Sequence, residues 1–327
     1  NSIKVYDFGG TTRMFSAGGV KYSSSAAYPT LRIESVAFAS DSSSVSNWGS
    51  IPVNNPSNYG AGGFSSPSHG IQQNGAYRSK FPFSSTGNST ALPNIPGLFT
   101  PSAINVHNDS AGYMMGGNGY ATSHAWKAWK HPFAADTWAE VSGLNLPGPS
   151  AKLLRASSAI STSYGYHMGG DYEPPDPGAR SNVIEKFPFA SEDGKTDVGD
   201  LSTGAESAAS GISSSTNGYF QGGQTTPSNY PFQRTNSQKF SFSSDGNASD
   251  IGDLSTGRRE CGGASSTTSG YILGGRWYAP TDPQHPGGYV EHANYNKTVF
   301  ASDTSSSSLG GGLGEGGGKT YGGGHQF

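Results

Sequence analysis

Hydrophobic and polar residues alternate in short stretches that recur along the chain. The clearest two are Ile184–Phe189, which reads Ile-Glu-Lys-Phe-Pro-Phe, and Gln238–Phe242, which reads Gln-Lys-Phe-Ser-Phe. An alternation with a period of two residues is typical of a strand with one buried face. The pattern predicts six such strands, and their last aromatic residues are Phe38, Phe83, Phe133, Phe189, Phe242 and Phe300. We expect the last three to be buried between neighbouring units, where truncation to alanine costs about 3–5 kcal/mol.

Each alternating strand belongs to a longer repeated unit of four predicted strands. Strand A is a run of small residues, such as Cys261–Ser266. Strand B reads Gly-Tyr-x-x-Gly-Gly, strand C is the alternating strand, and strand D contains a Leu or Ile about twelve residues after the last Phe of strand C. Phe189 and Phe242 are 53 residues apart. A repeat of about 50 residues indicates a β-propeller or another repeat array.

Paired glycines end most copies of strand B. We expect them to let the backbone turn sharply or pack closely as it leaves the strand. Two of the six copies are weaker matches, and both lie in the first part of the chain. The copies are Met14–Gly19, Gly70–Gly75, Gly112–Gly117, Gly165–Gly170, Gly218–Gly223 and Gly270–Gly275.

Strand A has seven candidates, whereas strands B, C and D each have six. The two ends of the chain, Ile3–Thr12 and Tyr321–Phe327, both resemble strand A. If one terminus completes a blade begun by the other, the ring closes and exposed sheet edges disappear. The sequence therefore predicts an all-β fold, with residues 1–327 forming one closed β-propeller of six four-stranded blades and strand A innermost. A seven-bladed ring is the alternative, and the terminus that takes the inner position stays open.

The composition fits many short strands and excludes several function classes. Charged residues make up 13% of the chain, and the net charge is −3. A general nucleic-acid binder carries a basic face, which such a composition does not provide. No apolar run has the length of a membrane span, and Cys261 is the single cysteine, so that no internal disulfide forms. The chain begins at Asn1, which indicates a processed sequence or part of a gene product.

The sequence motifs of the repeats resemble those of two known groups of proteins. The Gly-Gly ending of strand B, followed by an aromatic strand C, resembles the kelch type of β-propeller. Phe-Ala-Ser-Asp, Asp-x-Gly-Asp-Leu-Ser-Thr-Gly and Ser-Ser-Thr-x-x-Gly-Tyr-x-x-Gly-Gly resemble repeats of virion proteins from tailed phages, especially those of marine cyanobacteria. This resemblance covers nearly the whole chain and is strongest over Ile184–Gly275. It implies a propeller on a phage tail, fibre or capsid, and it carries no catalytic residues.

The segments between strands B and C differ most between repeats. Functional residues often lie on variable loops that a rigid scaffold holds, and aromatic and Arg side chains supply compact contact area. In a closed ring, the loops of repeats four to six should form one continuous patch. Packing of these aromatics onto their own blade or against a neighbouring protein subunit is the alternative. The predicted ligand-binding residues are Tyr172, Glu173, Tyr230, Phe232, Arg234, Arg276, Trp277, Tyr278 and Tyr289. Their few charges favour a neutral glycan or a protein surface.

No motif in the sequence indicates catalysis or a cofactor. His285 and His292 are seven residues apart and match no metal-binding spacing, and no Gly-x-Ser-x-Gly elbow has a strand–turn–helix context. Cys261 is interpreted as small core filling. We therefore expect no catalytic residue, metal or cofactor.

The preferred hypothesis is a non-enzymatic virion protein at the virion surface. It would bind a host-surface glycan or a neighbouring virion protein, without nucleic acid, and could form a homo-oligomer within a particle. The alternatives are an extracellular carbohydrate-binding lectin and, third, a propeller enzyme such as a copper oxidase.

Overall fold

The computed structural model of the 327-residue chain is an all-β structure. The residues that it describes are 12–22, 27–39, 45–52, 61–74, 77–94, 104–117, 126–146, 152–173, 179–203, 209–225, 233–278, 289–303, 307–309 and 323–326. Within these ranges the only helix is a 3₁₀ turn at Ser142–Leu144. The predicted fold class is confirmed.

Six four-stranded antiparallel sheets form the blades of a β-propeller. In blade order, the innermost strands are Gly323–Gln326, Ala61–Ser65, Ile104–His107, Ser157–Ile160, Ser210–Ser213 and Gly262–Ser265. The B strands are Arg13–Ala17, His69–Asn74, Ala111–Met115, Tyr164–Met168, Asn217–Gln221 and Ser269–Leu273. The C strands are Arg32–Ala37, Tyr77–Pro82, Ala128–Pro132, Val183–Pro188, Asn236–Ser241 and Tyr295–Val299. The outer D strands are Ser46–Ser50, Thr90–Leu92, Ala139–Glu140, Thr196–Asp200, Ser249–Asp253 and Ser307–Leu309.

The C-terminal strand closes the ring. Gly323–Gln326 pairs with Arg13–Ala17, so the last strand of the chain is the inner strand of blade 1. It also lies beside Ala61–Ser65 of blade 2 and Gly262–Ser265 of blade 6. The ring therefore has six blades, and the C-terminal candidate takes the inner position that the sequence left open. The other candidate, Ile3–Thr12, lies outside the described residues except for Thr12.

The paired glycines after strand B adopt a backbone conformation that other residues rarely use. Both members of each described pair have positive φ angles, for example 66° at Gly116 and 102° at Gly117. A Cβ atom on Gly116 would also lie 2.5 Å from the carbonyl oxygen of Leu153 in the next linker. Turn geometry and close packing therefore both require glycine here, as the sequence indicated.

In blades 4 to 6, the last Phe of strand C stacks on a tyrosine of the preceding blade. The ring centroids of Tyr113 and Phe189 are 5.5 Å apart, those of Tyr166 and Phe242 4.9 Å, and those of Tyr219 and Phe300 5.1 Å. The predicted position between blades is confirmed for these phenylalanines. Only the first of the three is buried; the other two are half-buried.

Full burial belongs instead to the Phe two residues earlier in strand C. Phe187 is 0% exposed and Phe240 is 2% exposed. The alternation thus places the deepest side chain inside the strand, while its last Phe lies near the rim.

Serine residues shape the turns between strands A and B. The Oγ atoms of Ser161, Ser214 and Ser266 each accept a hydrogen bond from the backbone N–H three residues later, at 3.1, 3.0 and 3.0 Å. A serine hydroxyl that accepts in this way satisfies a backbone N–H of the turn within the chain itself. The hydrogen bonds of these turns therefore explain the repeated Ser-Ser-Thr motif.

A lysine of one blade pairs with an acidic residue of the next. Each lysine lies three residues before the last Phe of strand C in its own blade. Each acid lies three residues after the last Phe of strand C in the next blade. The pairs are Lys80 with Asp136, Lys130 with Glu192, Lys186 with Asp245, and Lys239 with Asp303. Between blades 1 and 2, Ser35 replaces the lysine and Thr86 replaces the acid, so both partners change together. The remaining acid position, Asp41, lies outside the described residues.

We expect the Lys239–Asp303 pair to contribute about 0.2–1 kcal/mol to stability, because both side chains keep partial contact with water. A double-mutant cycle with Lys239→Met and Asp303→Asn checks this by urea unfolding at low and high salt. Asparagine preserves the left-handed backbone of position 303, whose φ is 46°. A coupling energy indistinguishable from zero at low salt contradicts the prediction.

Candidate recognition face

The B–C loops gather on one face of the ring, together with the linkers that lead from strand D into the next strand A. Strand A begins where strand B ends, as the pairing of Ser157 with Met168 demonstrates. We call this side the loop face. The turns between A and B and between C and D lie on the opposite side, which we call the turn face.

The long loop of blade 6 begins and ends as a β-hairpin. Arg276–Tyr278 pairs with Tyr289–Glu291, so that Trp277 lies opposite Val290 and Tyr278 opposite Tyr289. The Trp277 side chain is exposed, and the only other exposed large hydrophobic residue among those described is Val299, near the turn face. An exposed tryptophan on a loop hairpin is a candidate contact residue.

The other predicted site residues have different positions. Tyr172 lies opposite Leu153 and Ala179 in a small three-stranded sheet, and Glu173 lies opposite Lys152. Tyr230 and Phe232 lie outside the described residues. The structure thus brings Trp277, Tyr278 and Tyr289 onto one hairpin.

Arg234 and Arg276 both lie at the base of the loop face. The backbone N–H of Arg234 donates to the carbonyl of Gly223 at 3.0 Å. Arg276 is 9% exposed, and its Nη2 donates to Oε1 of Glu260 at 2.8 Å. Arg276 therefore anchors the hairpin of blade 6 to the linker beneath it.

A second buried ion network lies under the loop of blade 4. Asp171 is 3% exposed and accepts from Arg155 Nη1 at 3.0 Å and from Arg180 Nε at 3.2 Å. Buried charges are tolerated when they are paired in this way. The loop of blade 4 is therefore fixed to its linker by two guanidinium groups.

The two networks approach each other across the loops. Arg259, in the linker before blade 6, donates to the side chain of Gln224 in the loop of blade 5. Burial lowers the pKa of Arg180. The neighbouring Asp171 raises it, and the positive charges of Arg155 and Arg259 lower it. We call this set, defined as Arg155, Arg180, Arg259 and Arg276 with Asp171 and Glu260, the arginine floor.

The arginine floor holds two more positive than negative charges, in a chain of net charge −3. Sequence reasoning missed Arg155 and Arg259, which lie in linkers between blades, and Arg180, which ends the loop of blade 4, because no motif singles out these three positions. Two floor residues also have left-handed backbones: φ is 55° at Arg155 and 60° at Glu260. Both lie two residues before a strand A. Such conformations in non-glycine residues concentrate at functional sites.

The axis of the ring is narrow and polar. Its cavity of about 190 Å³ is lined by the inner strands and extends to Ala156 and Cys261, beside the arginine floor. A Cβ atom on Gly211 would lie 1.8 Å from the carbonyl oxygen of Ser158. Neighbouring strands are joined through serine hydroxyls, since Ser213 Oγ accepts from the N–H of Ile160 at 2.9 Å. The small residues of strand A therefore fit a crowded axis.

Cys261 lies in this crowded region. Burial raises the pKa of its thiol to about 12, so the thiolate is not populated near neutral pH. Small core filling, as the sequence indicated, fits this environment.

The described residues contain no cluster of three or more His, Cys, Asp or Glu side chains that could hold a metal ion. Nor does any helix among them have the length and apolar character needed to cross a bilayer.

The fold defines the chain as a six-bladed β-propeller, and a solved structure supports that class. The protein described as "Structure of YjhT" matches with a TM-score of 0.66 and 13% sequence identity, covering 85% of this chain and 90% of the other. At this identity the likeness establishes the fold alone. No protein-family model matches the sequence. The search of curated proteins gives no match either.

Proposed function

We propose that the protein is a non-enzymatic recognition module of a phage virion, and that its loop face binds an acidic glycan on the host surface. The observation that carries this proposal is the position of exposed Trp277 on a hairpin whose base, Arg276, belongs to the arginine floor. The virion setting and the kelch-like character rest on the resemblance of the repeats.

The chemistry of the loop face suits a sugar that carries an acidic group. An aromatic side chain offers a flat apolar surface to the ring of a sugar, while a guanidinium group recognises a carboxylate or sulfate with two parallel hydrogen bonds. Arg155, whose side chain is 39% exposed, is the floor residue that reaches solvent best. The predicted loop residues favoured a neutral partner, and the arginine floor adds the positive charge that changes this preference.

A neighbouring virion protein is the other partner class that the loop face could bind. A lectin without a viral setting would use the same residues on the same kind of ligand. These possibilities differ in what the isolated chain binds and where the chain occurs.

Replacing Trp277 and Tyr278 together by alanine is expected to weaken glycan binding at least about 30-fold, since a buried aromatic anchor contributes about 2 kcal/mol or more to an interface. Folding should stay intact, because the hairpin lies outside the blade sheets. Glycan-array binding of the isolated chain, followed by titration with the best ligand, measures the effect. Val299→Ala is the matched control, because it removes the other exposed large hydrophobic side chain.

The outcomes separate the alternatives. The proposal is supported if the wild-type chain binds acidic glycans on the array and the double variant does not. Absence of glycan binding, together with a particle assembly defect in the double variant, assigns the loop face to a protein partner. Normal attachment and assembly with the folded double variant would mean that the aromatics only pack the loop.

A further inference from the structure

A pocket of about 410 Å³ lies between blades 2 and 3 at the turn face. Its volume is in the range of small-molecule sites. Ile71 and Lys80 of blade 2 line it from one side, and His131, Phe133 and Asp136 of blade 3 from the other. The pocket is on the opposite side of the ring from the loop face.

The corresponding grooves after blades 3 to 6 are occupied by a tyrosine, and the groove after blade 1 is occupied by Phe15, which stacks on Phe83. Tyr113 of blade 3 stacks on Phe189, and its hydroxyl donates to Oε1 of Glu192 at 2.6 Å. Lys130 contacts the same carboxylate. Between blades 5 and 6, the hydroxyl of Tyr219 likewise donates to Oδ1 of Asp303, at 3.4 Å. In these two grooves the chain itself supplies a phenol ring and bonds its hydroxyl to an acid.

Between blades 2 and 3 the groove is retained but the tyrosine is replaced. Lys80 and Asp136 form the same cross-blade pair, and Phe133 stands where Phe189 stands one blade later. Ile71 occupies the position of Tyr113, one residue after the glycine of strand B. Isoleucine lacks the ring and the hydroxyl, and the pocket lies in this groove.

A buried histidine adds a hydrogen-bond acceptor to the pocket. His131 is 0% exposed, and its Nδ1 lies 3.1 Å from the carbonyl oxygen of Thr137, to which it must donate. Burial lowers the pKa of His131, which favours the neutral ring. Nε2 is then an acceptor; it makes no hydrogen bond to the described residues and lies 3.6 Å from Oδ1 of Asp136, so the two acceptors face the same space. A buried acceptor of this kind favours a ligand that brings a hydroxyl donor.

We propose that this pocket binds a phenol ring, the chemical equivalent of the tyrosine side chain that blades 3 to 6 supply from their own chain. The ring would pack between Ile71 and Phe133, and its hydroxyl would donate to Asp136 or to Nε2 of His131. The ligand is either a free phenol or a tyrosine side chain of another protein, because both present the same group.

The test uses the full chain and p-cresol, which has the structure of a tyrosine side chain. Ligand-observed NMR should give saturable binding to the wild-type protein, and toluene, which lacks the hydroxyl, should bind at least about tenfold more weakly. Ile71→Tyr restores the residue of blades 3 to 6. It should fill the pocket, abolish p-cresol binding and raise the melting temperature.

Matched variants keep the test independent of that one substitution. Ile71→Leu alters the side chain without adding a ring and should still bind p-cresol. Asp136→Gly should weaken binding about tenfold or more, because it removes the acceptor while glycine tolerates the φ of 50° at this position. Tyr113→Ile should create a second pocket of the same type and raise the number of bound p-cresol molecules from one to two. Near-ultraviolet circular dichroism checks the fold of each variant.

A comparison of p-cresol with N-acetyltyrosinamide separates the two sources of the phenol. Tighter binding of the amide assigns the pocket to a tyrosine of a partner protein, and weaker binding assigns it to a free phenol. Absence of saturable binding of both compounds to the wild type overturns the proposal. Equal p-cresol binding by the wild type and the folded Ile71→Tyr variant overturns it as well.

Discussion

Truncation of Phe240 to alanine should lower the free energy of unfolding by about 3–5 kcal/mol, the usual cost of removing a buried aromatic ring from a well-packed core. The ring is 2% exposed and lies 5.2 Å from the ring of Tyr166, in the core between blades 4 and 5. A Cβ atom on Gly218 would lie 2.4 Å from the Phe240 ring, so this glycine leaves the room that the ring occupies. Collapse of neighbouring blades into the cavity is limited, because each blade is held by the closed ring.

Phe242→Ala is the matched control and should cost roughly half as much, because its ring is half-buried and stacks mainly on Tyr166. Urea unfolding of both variants measures the difference. The sequence assigned the full cost to Phe242, since the alternating pattern ends there. Equal losses in the two variants would show that the rim stack contributes as much as the buried layer.

The blade architecture could be predicted because its determinants are local and repeated. The alternation of strand C fixes which side chains face the neighbouring blade, and the paired glycines mark the end of strand B by their positive φ angles. Burial depth could not be predicted in the same way. Phe240 and Phe242 point to the same side of their strand, and only the ring geometry decides which one lies deeper.

The inner strand of blade 1 is a different case. Both termini resemble strand A, and pairing between residues more than 300 positions apart is not encoded by any local pattern. The structure resolves the choice through the register of Met14 with Gln326 and Ala17 with Gly323.

The candidate sites depend on contacts that the sequence shows poorly. Trp277 stands out as an aromatic residue in a long loop, but Arg155 and Arg259 lie in linkers that vary between blades. Their role becomes visible only in the structure, where Arg155 contacts Asp171 and Arg259 contacts Gln224. Ile71 is visible in a comparison of the repeats as a missing tyrosine, yet its consequence requires knowing that Lys80 and Asp136 keep their pairing.

Removal of the closing strand should have the largest effect of all. Deleting residues 321–327 leaves Arg13–Ala17 without its inner partner and opens the ring between Ala61–Ser65 and Gly262–Ser265. Phe15 and Met14, which are 0% and 1% exposed in the closed ring, would then become exposed to solvent. We expect a loss comparable with the whole stability of a typical domain, about 5–15 kcal/mol. Thermal unfolding should accordingly lose its cooperative transition, and the exposed edge should promote aggregation.

A rearranged chain distinguishes closure from a general effect of truncation. Because Gln326 lies opposite Met14, a short turn can join the segment 321–327 to the chain ahead of Thr12, which makes blade 1 a continuous sheet. This variant has no C-terminal closing strand, yet it should regain a cooperative transition close to that of the wild type. If the truncated chain unfolds as cooperatively as the wild type, ring closure contributes little, because the five other blades then hold the fold without it.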